Sequence, residues 1–345
     1  MSNFNNAFGG LSAINPTRKN VMSADSLVDP RLLHILRCPT SGLPLRIEGG
    51  DLVSTDGSRY YPVVAGIPCL MPDSPEPTHA GYRILVDENR KQGHAYVTEE
   101  DVVSFVQAMI VSTCGNLFRG TNLAGVYPIP DFPNRFGADN ILDVGCNWGR
   151  WSIAGAKAGY RLIGIDVHLK SLMCARWLSQ KLTPGNEPFF VLADARHMPF
   201  APESFGGAFS YSCIQHFSKR HAEVILSELS RVMKPQAKSV IQMPNRRGIR
   251  STVALGLRMF SEGAEFDVRY YSISDLLRLF QHRIGKSEWY VDCFFGLNVH
   301  ARDRKLVPYS KRWIVDLAEV FLWASKKCPV IGRFSDSVFV SSTKA

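Results

Sequence analysis

Asp143 stands just ahead of two glycines spaced G-x-x-x-G, in the segment Ile141–Trp151, I-L-D-V-G-C-N-W-G-R-W. An apolar run leads into this segment and a helical pattern follows it. Doubly wound sheets hold their ligands at such a junction. Gly145 lets the backbone turn sharply and approach a ligand closely. Gly149 lets a helix begin against that ligand. A dinucleotide site needs G-x-G-x-x-G to set pyrophosphate on the helix N-terminus. That spacing is not present, and a carboxylate ahead of the glycines repels pyrophosphate. The same carboxylate suits an ammonium group, so the local electrostatics favour S-adenosylmethionine (SAM) over NAD.

Further acids recur at strand ends. Asp166 closes the second apolar run in G-I-D-V-H, and Asp194 with Ala195 closes the third in L-A-D-A-R-H-M-P-F. Tyr211–Phe217 reads Y-S-C-I-Q-H-F, and V-M-K-P-Q-A-K-S-V-I-Q-M-P-N follows a helical stretch. D-V-G-C-N-W-G resembles the first SAM-binding motif of class I methyltransferases, D-x-G-x-G-x-G, with Asn147 at the middle glycine. Asn tolerates positive φ better than most residues, so the turn survives. Four segments resemble that family in order between Ile141 and Asn245.

The resemblance implies that Gly145, Cys146, Asn147 and Gly149 line the cofactor loop. It implies that Asp166 binds the ribose hydroxyls and that Val167 and His168 lie near the adenine. Asp194 and Ala195 resemble the pair that reads the adenine edge. The Tyr211–Phe217 segment resembles the fourth-strand motif of small-molecule methyltransferases, quinone C-methyltransferases included. It places Tyr211 and Gln215 by the cofactor and His216 beside the transferring methyl. His216 is the candidate general base or nucleophile-orienting group, since imidazole titrates near neutrality. Its alternative is a pocket-shaping hydrogen bond.

The elements that must position these residues alternate. From Asn140, strands at ILDVG, RLIGID, PFFVLAD, GGAFSYS and KSVIQMP are separated by helices, which predicts a doubly wound α/β sheet, mostly parallel and seven-stranded. A late strand at EWYVDCFF and a last one at DSVFVSS, around a helix, fit an antiparallel pair at the sheet edge. The expected organisation is a disordered tail over 1–28, a small α+β domain over 29–72, a linker and helical lid over 73–136, and the methyltransferase domain over 137–345.

Leu32–Pro72 resembles the small zinc-ribbon-like activator of tRNA and protein methyltransferases, and short bacterial proteins of unassigned role, through L-L-x-I-L-x-C-P and Y-P-V-x-x-G-I-P. Zinc members need four Cys/His ligands. Here Ser41 replaces the CxxC partner of Cys38, and Cys69 lies in an apolar strand. The expectation is no metal, and packing against the larger domain in preference to substrate binding.

The chain has 345 residues, 45% hydrophobic and 21% charged, with net charge +9. The excess is uneven, since Arg246–Ala345 carries 17 Lys+Arg against 10 Asp+Glu. Eight scattered cysteines without a CxxC read as reduced, and no leader or membrane span is evident, so a cytoplasmic location is expected. Asn116 and Arg119 ahead of the sheet, Asn245 with Arg246 and Arg247 after its fifth strand, and Arg269, Tyr270 and Tyr271 before a late helix are substrate candidates. Arginines there would select phosphate or carboxylate. The helix Lys311–Lys327 carries Trp313, Leu317, Phe321 and Trp323 between basic ends. It reads as a core helix in preference to one lying on a membrane surface.

The leading reading is methylation of a small-molecule acceptor at oxygen, nitrogen or carbon, with an anionic sugar, lipid or natural-product intermediate among the candidates. An rRNA or tRNA methyltransferase is the alternative. The chain lacks the D/N-P-P-Y/F/W motif of many nucleic-acid amine methyltransferases and a recognisable RNA module. A non-catalytic SAM-binding scaffold is the third reading. Acceptor and oligomeric state are not legible.

Overall fold

The computed structural model describes residues 28–73, 97–137, 140–257, 268–296 and 301–345. The expected tail, the Pro-rich linker and the chain leading up to Val97 lie outside these, apart from their flanking residues.

The N-terminal unit begins with α1 (Pro30–Leu33), capped by Asp29, whose carboxylate accepts from the Arg31 N–H. The helical expectation for R-L-L-H-I-L-R-C was too long. Leu36 and Arg37 instead make isolated bridges to Phe200 and Pro44, because their backbone pairing outweighs helical propensity. A small antiparallel sheet follows, built from β1 (Leu45–Glu48), β2 (Asp51–Ser54) and β3 (Tyr60–Tyr61). A hairpin of β4 (Val63–Val64) and β5 (Ile67–Leu70) closes the unit.

The larger unit opens with α2 (Glu99–Cys114), started by a reciprocal capping box between Thr98 and Asp101. Then come β6 (Asn140–Val144), α3 (Arg150–Lys157), β7 (Arg161–Asp166), α4 (Leu169–Leu182), β8 (Phe189–Ala193), β9 (Phe205–Ser210), α5 (Lys219–Val232) and β10 (Met233–Pro244). The chain ends with α6 (Ile249–Leu257), α7 (Ile273–Arg283), β11 (Gly285–Cys293), α8 (Arg312–Lys327), α9 (Pro329–Gly332) and β12 (Ser337–Lys344).

One sheet crosses both units in the order β11-β12-β10-β9-β6-β7-β8-β5-β4. The pairs from β10 across to β5 are parallel, and β12 runs antiparallel to both β10 and β11. Strands β6 to β9 are buried almost throughout, as parallel strands covered on both faces must be.

The two late strands form the expected antiparallel pair at the sheet edge, with β11 outermost and β12 between it and β10. One detail differs from the sequence expectation, since the sheet has nine strands instead of seven. Cys69 pairs with Leu192 and Leu70 with Ala193, so β5 covers what would be the open edge of β8. The docking is reinforced by Arg37 N–H donating to Pro199 O at 2.8 Å and Ala201 N–H donating to Ile35 O at 2.8 Å. Leu36, Leu52 and Leu70 share one apolar cluster with Phe200, Val191 and Ile163.

The expectation that α8 is a core helix is corrected. Val315 is buried and Phe321 rests on Phe294 and Phe295, but Trp313 is 62% and Trp323 63% exposed. At about 100° per residue, 313, 317 and 320 fall opposite 315 and 322, so one helix carries two apolar faces and can bury only one.

Candidate active site

The loop between β6 and α3 turns through three left-handed positions at alternate residues, Gly145 at φ 75°, Asn147 at φ 49° and Gly149 at φ 78°. Asn147 thus takes the conformation that a glycine would have taken. Its Oδ1 accepts from the Trp148 N–H at 2.8 Å, which secures the turn locally. The glycines have tight neighbours. A Cβ at Gly145 would collide with the Cys213 side chain, and one at Gly149 would lie 2.9 Å from the Ala175 Cβ.

Asp143 is buried, and its carboxylate accepts from Ser152 Oγ at 2.6 Å. Burial, with Asp166 adding repulsion, raises its pKa to about 7, although the Ser152 bond opposes the shift. Asp166 closes β7 half-open to solvent. One carboxylate oxygen accepts from the Asn147 N–H and the other from the His168 N–H, both at 2.9 Å. The glycine loop and the second-strand acid are therefore locked together. Burial still moves the Asp166 pKa upward.

His168 caps α4, with Nδ1 2.7 Å from Ser171 Oγ, and its ring stacks on Phe105 of α2 at 5.8 Å. Burial lowers its pKa against the pull of Asp166. Asp194 is buried and holds Arg196 through its backbone N–H at 2.8 Å and its guanidinium at 2.6 Å. Ala195 is buried beside it.

At the end of β9, Tyr211 packs on Trp151 at 4.7 Å and donates to Asp292 Oδ2 at 3.0 Å. Ser337 donates to the same oxygen at 2.6 Å, and burial lifts Asp292 to about 6. Gln215 Nε2 donates to Ser212 Oγ at 2.9 Å and lies 3.4 Å from His216 Nε2. Arg269 comes to this segment. Its backbone N–H donates to Gln215 O at 2.9 Å and its Nη1 to His216 O at 2.7 Å. Tyr270 follows it directly, and Tyr271 bridges to Asn245.

The other substrate candidates differ in exposure. Asn245 is fully buried and spends its amide on the carbonyls of Arg333, at 2.9 Å, and Ser335, at 2.8 Å. Both donations of the amide are therefore spent within the fold. Asn116 and Arg119 are exposed, with their side chains 3.4 Å apart. Arg246 and Arg247 are exposed after β10.

Several partners escaped sequence reasoning. Arg150 is buried and donates to Pro128 O at 2.8 Å and Thr113 O at 2.9 Å, with Asp303 4.0 Å away as its ion partner. Trp148 Nε1 donates to Thr113 Oγ1 at 2.9 Å. The loop's own side chains therefore fasten the end of α2 above it. An arginine following the second glycine was the available signal. Ser152, Phe105 and Asp292 gave none, because each meets its partner only through the fold.

In the N-terminal unit, Cys38 Sγ lies 3.0 Å from the Tyr61 hydroxyl and accepts from the Ser41 N–H at 3.3 Å. Among the described residues no cluster of three or more His, Cys, Asp or Glu could hold a metal. A cleft of about 700 Å³ lies between this unit and α5, lined by Arg37, Arg196, Arg220 and Arg231 among others, and not by the glycine loop.

Comparison with known proteins agrees with this geometry. Residues 141–236 match the family described as "Methyltransferase domain". The chain is 30% identical over 102 residues to an O-methyltransferase of Aspergillus nomiae, covering 29% of this chain and 44% of that protein. It is 32% identical over 106 residues to an O-methyltransferase of Penicillium expansum, covering 30% and 37%. It thus spans less than half the length of these relatives. A UPF0434 protein of Gluconacetobacter diazotrophicus is 39% identical over 57 residues, which is 16% of this chain and 90% of that protein. Residues 141–236 thus carry the likeness to the methyltransferase domain, and through its N-terminal unit the chain belongs to the UPF0434 proteins.

Proposed function

We propose that the protein transfers the methyl group of SAM to a small-molecule acceptor. The carrying observation is a strip of half-open residues at the C-terminal ends of three adjacent strands. Gly145 and Asn147 follow β6, Asp166 and Val167 close β7, and Ser212 and Cys213 follow β9, between neighbours that are buried. These residues fit SAM. Each oxygen of Asp166 takes one backbone N–H and keeps acceptor capacity for a ribose hydroxyl. Two of the three left-handed positions of the loop, Gly145 and Gly149, carry no side chain. The cofactor, when bound, supplies the activated methyl.

The chain's own work is alignment and exclusion of water. Phe105 and His168 offer a stacked aromatic wall at the end of β7. Gln215 and His216 stand on the short helix after β9, held there by Arg269. An acceptor hydroxyl must lose its proton as it attacks, and His216 Nε2 is the group proposed to take it. The matched relatives named as O-methyltransferases make an oxygen acceptor the first to try.

Calorimetric titration with SAM and S-adenosylhomocysteine, with NADH in parallel, tests the reading. Micromolar binding of the adenosyl ligands alone, followed by turnover in a screen of hydroxylated small molecules, is the expected result. In that screen His216→Ala should lower kcat by about 10²-fold or more, with adenosylhomocysteine affinity retained. Absence of adenosyl binding removes the proposal. Binding without turnover on any small molecule or RNA leaves the non-catalytic scaffold as the function.

A further inference from the structure

The outer face of α8 continues onto its neighbours. Tyr309 is 85% exposed, Trp313, Val320 and Trp323 are as open as Val330 and Phe334, and none is covered by the described chain. A second apolar row stands on α6, where Ile249, Val253 and Leu257 recur every fourth residue and are exposed. The two rows are tied together. Asn245 holds the carbonyls of Arg333 and Ser335, and Asp336 accepts from the Arg250 N–H at 2.7 Å, so α6 starts where the chain leaving α8 ends.

The charge around this face is one-sided. Between Ala301 and Phe334 there are eight Lys+Arg and three Asp+Glu. Of the three acids, Asp303 is buried against Arg150 and Asp316 is paired with Arg304, which leaves Glu319. Lys326, Lys327 and Arg333 are exposed beside the aromatic row, and Arg246, Arg247 and Arg250 beside the second. Exposed apolar and aromatic side chains grouped on neighbouring elements mark an interaction site. Tryptophans with a basic surround suit the headgroup layer of a bilayer, where the rings sit at the boundary and the cations meet anionic lipids.

We propose that the face formed by α8, α9 and α6 docks on a lipid surface bearing anionic headgroups. Charge complementarity selects this occupant over a second copy of the chain, because two such faces would bring like charges together. The binding is peripheral, since no helix among the described residues is long and apolar enough to cross a membrane. The inner face of α8 places Val315 in the same apolar cluster as Trp148, Trp151 and Tyr211. The proposal does not depend on methyl transfer.

The test is co-sedimentation of the full chain with vesicles of phosphatidylcholine alone and of phosphatidylcholine mixed with phosphatidylglycerol. Binding to the mixed vesicles, at least about tenfold weaker on neutral ones and salt-sensitive, is expected. W313E/W323E should weaken it by about tenfold or more, and K326E/K327E should do so on the mixed vesicles. Both pairs are exposed, and unchanged circular dichroism melting checks that the variants fold. Equal binding to both vesicles, or none to either, overturns the proposal. So does a dimer in light scattering that W313E/W323E dissociates while vesicles are ignored, which would assign the face to a second copy.

Discussion

At the scale of single residues, the site depends on carboxylates held by different partners. Asp166 is half-open, and each of its oxygens keeps acceptor capacity beyond one backbone bond. Replacing it with Ala removes two charge-assisted backbone bonds and the ribose acceptor together. Such a bond contributes about 1.5–3 kcal/mol, so adenosylhomocysteine affinity should fall about 10- to 100-fold by calorimetry. Unchanged affinity would detach Asp166 from the cofactor. Asp143 makes a different prediction. Its carboxyl ordinarily titrates near 3.8 and burial raises it to about 7. Across that window the folded chain keeps a proton that the unfolded chain has released. Stability therefore falls as pH rises through the window, by at most about 1.4 kcal/mol for each pH increment of one. Asp143→Asn has no such proton and keeps an acceptor for Ser152, so its melting temperature should decline less than wild type over the same pH range. Parallel slopes would show that the carboxyl is ionised throughout. The acids were legible in the sequence because their types and positions at strand ends are local. Their partners were not. Ser152 lies within the first turn of α3, and Arg196 competes for the Asp194 carboxylate that the adenine edge was expected to engage.

At the scale of elements, alternation of apolar strands and amphipathic helices was readable, because period 2 and period 3.6 are written locally. The pairing of β5 with β8 was not, since no residue of I-P-C-L states which strand it will meet. That pairing makes the N-terminal unit part of the larger fold. Leu36 is fully buried, and its backbone bridges to Phe200 across the junction. Leu36→Ala leaves a cavity there and should cost about 2–5 kcal/mol. If the units fold as one, chemical denaturation will show a single transition moved to lower denaturant. Two transitions, only the first of them moved, would mean that the unit folds by itself and merely leans on the sheet. The packing role expected from the sequence is also the one this prediction tests. The misreading of α8 has a similar cause. It has apolar residues on both sides, so composition favoured the core, and only the crowding beneath it decides which side is covered.

At the scale of the whole molecule, burial should be readable through the eight cysteines, all of them free. Cys328, just past α8, is the one exposed, and Cys213 and Cys293 are half-open while the other five are buried. A thiol reacts as its thiolate, so access alone is not enough. Burial pushes Cys146, Cys213 and Cys293 up, with nearby carboxylates of Asp143, Asp166 or Asp292 adding to it, and lifts Cys174 to about 12. Cys213 is thus half-open at the end of β9 yet held as a thiol. With an aromatic disulfide reagent at neutral pH, one cysteine should react at the rate of a free thiol, and the rest at least about 100-fold more slowly. Cys328→Ser should remove the fast phase. The slow phases report opening of a sheet that spans both units, so they should share one rate and slow together when an adenosyl ligand is added, by mass action on the folded state. A second fast thiol identified as Cys213 would show that the strip opens on its own, without the rest of the sheet. Its suppression by adenosylhomocysteine would then map the ligand directly onto the end of β9.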